Sequence, residues 1–352
     1  MSVLASKRVA SYSDYEEVRE WRGKRSGLMM AVAVHRTEAG RSLGGCRIWS
    51  YNTAEEVVRE AKRLARSMTF KAAVAGLPFG GGKAVIATVP GETLSGKRRE
   101  DALRDFADLV DTFEGRYITA QDAGTSLLDI SFLAELTSHI SGHPIDEGGC
   151  GDPSPYTAHG VEVGIAASMD GSLADRHVVI VGLGHVGSEL ARRLRDAGAR
   201  VTATDIDDRR RVSAEGLGAS WVPLGDALAV EADVLAPCAL GGVLNHETAG
   251  ALQVLVVAGA ANNQLASDDV ADLLRDRGIV WAPDFVINAG GLIAVADELH
   301  GFDPQRVDQA IEGIADTLSE IYADASTTNT NTLLAANQLA AKRLGEADGN
   351  DT

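Results

Sequence analysis

Cysteine is scarce in this chain. Cys46, Cys150 and Cys238 are its three thiols; they lie far apart, and no C-x-x-C occurs. An odd, scattered set argues against a disulfide framework and against structural zinc. With no export signal, it points to a reducing cytoplasm. Cys150 stands among glycines, where a catalytic nucleophile and a buried, inert thiol are both open readings. Long apolar runs are missing too. No stretch reaches the roughly eighteen apolar residues that mark a membrane-spanning helix. The opening MSVLASKRVA lacks the apolar core and cleavage site of a signal peptide.

Positive charge is also short. Lys and Arg number 33 against 50 Asp and Glu, a net charge of −17. No basic stripe is present, which argues against a nucleic-acid partner; Arg209-Arg210-Arg211 follows two aspartates and reads as a solvated helix face. The histidines form no metal-ligand pattern. His139 and His143 flank Gly142, and Pro144 follows, so they mark a helix end. No internal repeat is found, and no metal is expected.

What is present suffices for two cores. A chain of 352 residues favours two domains. Met29–Val34 and Cys46–Trp49 read as strands. Thr53 is placed as an N-cap with Glu56 completing a capping box. Val57, Ala61, Leu64, Ala65 and Met68 then recur at helical spacing, predicting an amphipathic helix over 54–70. Gly76 through Lys83 reads as a glycine loop leading into a strand over 84–87. A helix over 98–113 and a strand over 117–120 follow. Gly148–Pro155 is the strongest break in composition, so the domain boundary falls there. Beyond it, helix and strand text alternates to about Val286, the mark of a parallel α/β sheet. A final helical region carries Val307, Ile311, Ile314, Leu318 and Ile321 on one face. The chain thus divides into 1–150, 151–298 and a helical 299–352 expected to return to the first domain.

Val178-Val179-Ile180-Val181 is a β-branched run suited to a buried parallel strand. Gly182-Leu183-Gly184-His185-Val186-Gly187 follows and fits G-x-G-x-x-G. The first glycine allows a tight turn, the second lets backbone approach a pyrophosphate, and the third lets helix pack on strand. The helix that starts there offers free N–H groups to phosphates. A second strand ends at Asp205, where a carboxylate can accept from both ribose hydroxyls and repel a 2′-phosphate. That favours NAD over NADP. Asp205 as a helix N-cap remains open.

Upstream, Lys71 ends the long helix and Lys83 follows three glycines. A phosphate loop is disfavoured, because Ala84 replaces the metal-binding hydroxyl and a strand follows where a helix is needed. Asp122 closes a separate strand. These charges either converge in a cleft facing the dinucleotide domain or form surface ion pairs.

Across nearly its whole length, and in order, the chain resembles the Glu/Leu/Phe/Val dehydrogenase family. The matching segments begin with Gly44-Gly45-Cys46-Arg47, Met68-Thr69-Phe70-Lys71 and Leu77-Pro78-Phe79-Gly80-Gly81-Gly82-Lys83. They continue with Gln121-Asp122-Ala123-Gly124-Thr125 and Gly151-Asp152-Pro153-Ser154-Pro155-Tyr156-Thr157. The last are Ala236-Pro237-Cys238-Ala239, Gly259-Ala260-Ala261-Asn262-Asn263 and Pro283-Asp284-Phe285-Val286-Ile287-Asn288-Ala289-Gly290-Gly291. The resemblance implies an α/β substrate domain followed by a Rossmann-type dinucleotide-binding domain. It also implies reversible oxidative deamination of an L-amino acid to a 2-oxo acid and ammonium, with NAD, in a dimer or octamer.

By the same resemblance, Lys83 is the catalytic lysine, Asp122 shuttles protons at the amine, and Lys71 binds the substrate carboxylate. Asn262 and Asn288 face substrate, Asn262 also reaching the cofactor. Arg47, Ser154 and Thr157 lie near the cofactor. So do Gly182, Leu183, Gly184, His185, Val186, Gly187, Asp205, Ile206, Cys238, Ala239 and Ala260. Glutamate enzymes of the family carry a lysine where this chain has Leu43 and a serine where it has Val295. Both replacements are apolar, so leucine, valine or isoleucine is the expected substrate and phenylalanine the alternative. A hydroxy-acid dehydrogenase would need a catalytic histidine with a carboxylate partner, which the sequence does not offer. An inactive NAD-binding sensor should have lost Lys71, Lys83 or Asp122, and all three are present.

Overall fold

The structure is a computed structural model and describes residues 14–345 together with the strand Arg8–Val9. The chain divides between Asp152 and Pro153 into two compact units. The first contains strands β1 (Arg8–Val9), β2 (Glu17–Arg22), β3 (Met29–Val34), β4 (Ser42–Leu43), β5 (Cys46–Ser50), β6 (Gly80–Thr88) and β7 (Tyr117–Ile118), with helices α1 (Ala54–Val74), α2 (Gly96–Asp111) and α3 (Leu127–Ala134). They form one mixed sheet in the order β1-β2-β3-β6-β4-β7, with β5 beside β6.

Thr53 caps α1, and Glu56 completes the capping box as the spacing predicts. The apolar face of α1 (Val57, Val58, Ala61, Ala65) packs under Ala31, Ala33 and Val85. On the opposite face of the sheet, Ala84 and Ile86 pack with Ala102, Phe106 and Val110 of α2. Side chains therefore alternate along β6 between the two helices, as the strand period of two requires.

Gly80–Gly82, read from sequence as a loop, lie inside β6. Their role is close approach. A Cβ on Gly81 would overlap the Ala65 carbonyl and the Thr69 nitrogen of α1, and one on Gly82 would lie 2.5 Å from the Tyr117 ring. Of this stretch only Gly76, in the turn after α1, needs positive φ, at 67°.

The second unit opens with α4 (Ser154–Ser168) and continues through β8 (His177–Val181), α5 (His185–Asp196), β9 (Arg200–Thr204), α6 (Arg210–Gly216), β10 (Ser220–Trp221), β11 (Val234–Pro237), α7 (His246–Ala251), β12 (Val256–Val257), α8 (Asp269–Asp276), β13 (Val280–Trp281) and α9 (Asp284–Ile287). Its six strands are all parallel, in the order β10-β9-β8-β11-β12-β13. Chain order reverses at β8 and β11, which is the switch point of a doubly wound nucleotide-binding sheet.

The C-terminal stretch holds α10 (Gly290–Glu298), α11 (Pro304–Glu312), α12 (Ile314–Thr328) and α13 (Thr332–Arg343). Only Val295–Phe302 returns to the first unit; from Asp303 the chain belongs to the second. This corrects the expectation that the terminal helices pack on the first domain. The reason lies in α4. A Cβ on Gly160 would come within 3.0 Å of Ile314 Cδ1, and one on Gly164 within 3.6 Å of Leu318 Cδ1. The apolar stripe of α12 thus rests on the glycine face of α4.

Candidate active site

In the first unit, parallel pairing aligns three segments. Cys46 stands opposite Ala84 of β6 and bridges Gln121, so Arg47, Val85 and Asp122 occupy the next row. Lys83, two residues before Val85, shares its face of the sheet, toward α1. Glycines let these segments meet: a Cβ on Gly44 would overlap the Gly82 carbonyl, and one on Gly45 that of Gln121. The Lys83 side chain is only 7% exposed, and its Nζ lies 3.0 Å from Asp122 Oδ2. Arg47 Nε reaches the same oxygen at 3.0 Å, while Arg47 Nη1 pairs with Glu60 of α1 at 2.9 Å. Burial opposes charge on Asp122, yet Lys83 and Arg47 outweigh it and hold the carboxyl at about 2.

The loop bearing Asp122 is fixed by its own contacts. The Asp122 N–H donates to Thr125 Oγ1 at 2.8 Å, and Arg99 donates to the Gly124 carbonyl at 2.7 Å while ion-pairing with Asp129. Gly124 has φ of 85°, and a Cβ there would overlap the Ile48 carbonyl. Asp122 is therefore a rigidly mounted anion facing a buried lysine.

Lys71 sits half-buried on the last turn of α1. Leu43, wholly buried, lies on β4 between Gly81 and Ile118. Val295 is buried on α10, and its carbonyl accepts from Ser141 Oγ at 2.7 Å. One helical turn on, Glu298 accepts the N–H groups of Gly142, His143 and Cys150 and pairs with the His143 ring. Sequence reading missed Glu298, which closes an otherwise largely apolar helix and has no motif to mark it. Burial, and then the Glu298 carboxylate, push the Cys150 thiol up to about 12. Of the two readings of Cys150, the inert thiol stands, because the thiolate is the nucleophile.

Asn262 and Asn288 lie in the second unit. Asn288 Nδ2 donates to Asn262 Oδ1 at 2.9 Å and to the Ala260 carbonyl at 3.1 Å. Its own Oδ1 is buried with no hydrogen-bond partner, an acceptor left for an incoming donor.

The three glycines after β8 differ in their surroundings. Gly182 has φ of 108°, and a Cβ there would lie 2.7 Å from Ala239 Cβ beyond β11. A Cβ on Gly184 would meet nothing within 4 Å. A Cβ on Gly187 would overlap the Gly182 carbonyl. No side chain caps α5, and a helix start is the end that presents N–H groups suited to phosphate oxygens. Asp205 Oδ2 accepts from Leu183 N–H at 2.7 Å, and Oδ1 accepts from Asp207 N–H at 2.9 Å. Ile206 and Leu240, each following a strand end, are 87% and 82% exposed. Cys238 and Ala239 follow β11, while His185 and Val186 open α5. These residues fit a dinucleotide: an uncapped helix start, open space at the second glycine, and apolar side chains at the sheet's carboxyl edge.

Ser154 and Thr157 lie in the first turn of α4, where Thr157 Oγ1 donates to the Pro153 carbonyl at 3.1 Å. Arg47, expected near the cofactor, has further partners within its own unit. It belongs to the first unit, and its guanidinium is engaged by Asp122 and Glu60.

A doubly wound sheet with a dinucleotide cradle, joined to a unit carrying a buried lysine–aspartate pair, defines a dinucleotide-dependent oxidoreductase. Residues 16–139 match the description "Glu/Leu/Phe/Val dehydrogenase, dimerisation domain", and residues 204–350 match "Glutamate/Leucine/Phenylalanine/Valine dehydrogenase". Leucine dehydrogenase of Geobacillus stearothermophilus is 41% identical over 94% of this chain and 91% of its own. Valine dehydrogenase of Streptomyces albus is 41% identical over 95% and 93%. L-tryptophan dehydrogenase from Nostoc punctiforme superposes with a TM-score of 0.80 at 34% identity, covering 94% and 96%. The chain belongs to the Glu/Leu/Phe/Val dehydrogenase family and is an amino acid dehydrogenase. Family and fold together imply a nicotinamide cofactor. Among the described residues no helix is long and apolar enough to cross a membrane.

Proposed function

We propose that this chain catalyses the NAD-dependent, reversible oxidative deamination of apolar L-amino acids, with leucine, valine and isoleucine as substrates. L-amino acid, NAD and water give 2-oxo acid, ammonium, NADH and a proton. The observation that carries the substrate class is the pair Leu43 and Val295. Both are apolar and buried, at the positions where glutamate enzymes of the family carry a lysine and a serine. A substrate side-chain carboxylate left unpaired there costs about 3–5 kcal/mol. The leucine and valine dehydrogenase relatives support the same class.

Lys71 holds the substrate carboxylate as a point charge. Lys83 orients and polarises the water that attacks the iminium carbon. Asp122, anionic and 3.0 Å from Lys83, accepts hydrogen bonds from the reacting amine and returns protons to it. When bound, the nicotinamide dinucleotide supplies the two-electron redox chemistry. Gly182, Gly184, Gly187 and the start of α5 hold its pyrophosphate, and Asp205 holds the adenosine ribose and disfavours a 2′-phosphate. The enzyme works in the cytoplasm as a homo-oligomer, a dimer or an octamer.

A panel of L-amino acids, assayed with NAD and with NADP, tests this reading. Leucine, valine and isoleucine with NAD should give the highest kcat/KM. Faster turnover of glutamate would overturn the apolar class, faster turnover of phenylalanine or tryptophan would overturn the choice of leucine, valine and isoleucine within it, and equal use of NADP would overturn the role of Asp205.

A further inference from the structure

The Arg47 guanidinium bridges Asp122 and Glu60. We propose that Arg47 is a positioning residue of the deamination site, aiming Asp122 at Lys83, with Glu60 fixing Arg47 in turn. The proposal rests on the roles given above to Lys83 and Asp122.

Three observations carry it. Arg47 and Lys83 approach one carboxylate oxygen, Asp122 Oδ2, at 3.0 Å each. Arg47 spends a different nitrogen on each partner, Nε on Asp122 and Nη1 on Glu60, so its plane is held at two edges. Glu60 is itself held by Arg63, whose Nε and Nη2 donate to its two oxygens at 2.9 and 3.0 Å. When Lys83 turns to water or substrate, Arg47 remains and keeps Oδ2 in place. A lysine at position 47 would supply the charge but not the two-edged grip.

The groups facing Asp122 are Lys83 from β6, Arg47, Cys46 and Tyr51 from β5 and the residue after it, and Tyr117 from β7. Glu60 and Arg63 of α1 act through Arg47. Cys46, Tyr51 and Tyr117 are all pushed upward by burial, so they are neutral at neutral pH. The two cations, with the Ala123 backbone N–H, oppose the cost of burying the carboxylate.

The test is the carboxyl titration of Asp122 in the cofactor-free protein. It is followed by carbon-13 NMR and assigned by the signal lost in Asp122→Asn. In Arg47→Gln the midpoint should rise by about one pH unit or more. Arg47→Lys should restore most of that shift yet lower kcat about ten-fold, because a displaced carboxylate serves the reaction poorly. Affinity for NAD, read by fluorescence, should stay unchanged in both. An unmoved Asp122 titration in Arg47→Gln overturns the proposal. So does a ten-fold loss of NAD affinity with kcat intact, which would return Arg47 to the cofactor. If Arg47→Gln does not fold, unchanged kcat in Arg47→Lys overturns it. The titration needs no turnover, so failure of the amino acid panel and failure of this inference are separate results.

Discussion

Gly187 presses against Gly182: a Cβ at 187 would overlap the carbonyl oxygen of 182. Three residues earlier, Gly184 faces open space. The two positions therefore separate folding from binding. Gly187→Ala should destabilise the protein by about 1–3 kcal/mol through overpacking, lowering Tm. Gly184→Ala should leave Tm unchanged and weaken NAD binding about ten-fold, or ~1.4 kcal/mol. Thermal melts and a fluorescence titration check both; tight NAD binding by Gly184→Ala would contradict the phosphate cradle.

Lys83→Ala removes the buried ammonium next to Asp122 without touching the second unit. Turnover should fall by about 10²–10⁴, while the Kd for NAD stays as in the parent. Steady-state kinetics with a separate binding assay would expose a mere folding defect, which lowers both.

Asp205→Asn keeps an acceptor for the Leu183 N–H but removes the charge. Like-charge repulsion of a 2′-phosphate is worth several kcal/mol. The ratio of kcat/KM for NAD over NADP should therefore drop about ten-fold or more. A ratio that does not move would assign Asp205 to holding its own loop and nothing else.

The Glu298–His143 pair makes stability depend on pH. The Glu298 hydrogen bond outweighs burial and raises His143 above its ordinary 6.5. Its contribution is full below that value and is lost as pH rises through the raised one. Burial opposes the Glu298 charge, but the His143 ring and the backbone N–H groups of His143 and Cys150 lower it beneath the ordinary 4.5. Its contribution is present above 4.5 and is lost as pH falls through the lowered value. The Tm deficit of His143→Ala should thus be largest between about pH 5 and 6 and shrink by pH 9. Glu298→Gln should cost more than His143→Ala, because three backbone N–H groups lose their anionic acceptor. A pH-independent deficit in His143→Ala would show that the pair is not ionised.

The second unit was readable from sequence because its signals are local. The run Val178–Val181, the glycines after it and Asp205 sit within one βαβ segment, and period and spacing define them. The first unit was readable in α1 and α2 but not in α3 or in its glycines. Gly80–Gly82 are adjacent in sequence and look like a loop; what makes them strand is the backbone of α1 and the Tyr117 ring, which come from elsewhere in the chain. The ion pairs of Arg47 escaped for the same reason. Nothing near it in sequence announces Glu60 on the following helix or Asp122 far downstream. The terminal helices show the limit of a pattern. An apolar stripe says that a face is buried, and only Gly160 and Gly164 of α4 say against what.

Both units draw on late sequence. Val295–Phe302 complete the first, and the residues from Asp303 complete the second. A chain still emerging from the ribosome can assemble the early sheet, but residues 142–150 await Glu298, and the glycine face of α4 stays bare until α12 appears. Domains commonly fold in turn during synthesis; here each unit takes its last residues from beyond position 294. A chain ending before α12 would leave the α4 face at Gly160 and Gly164 without the Ile314 and Leu318 side chains that cover it.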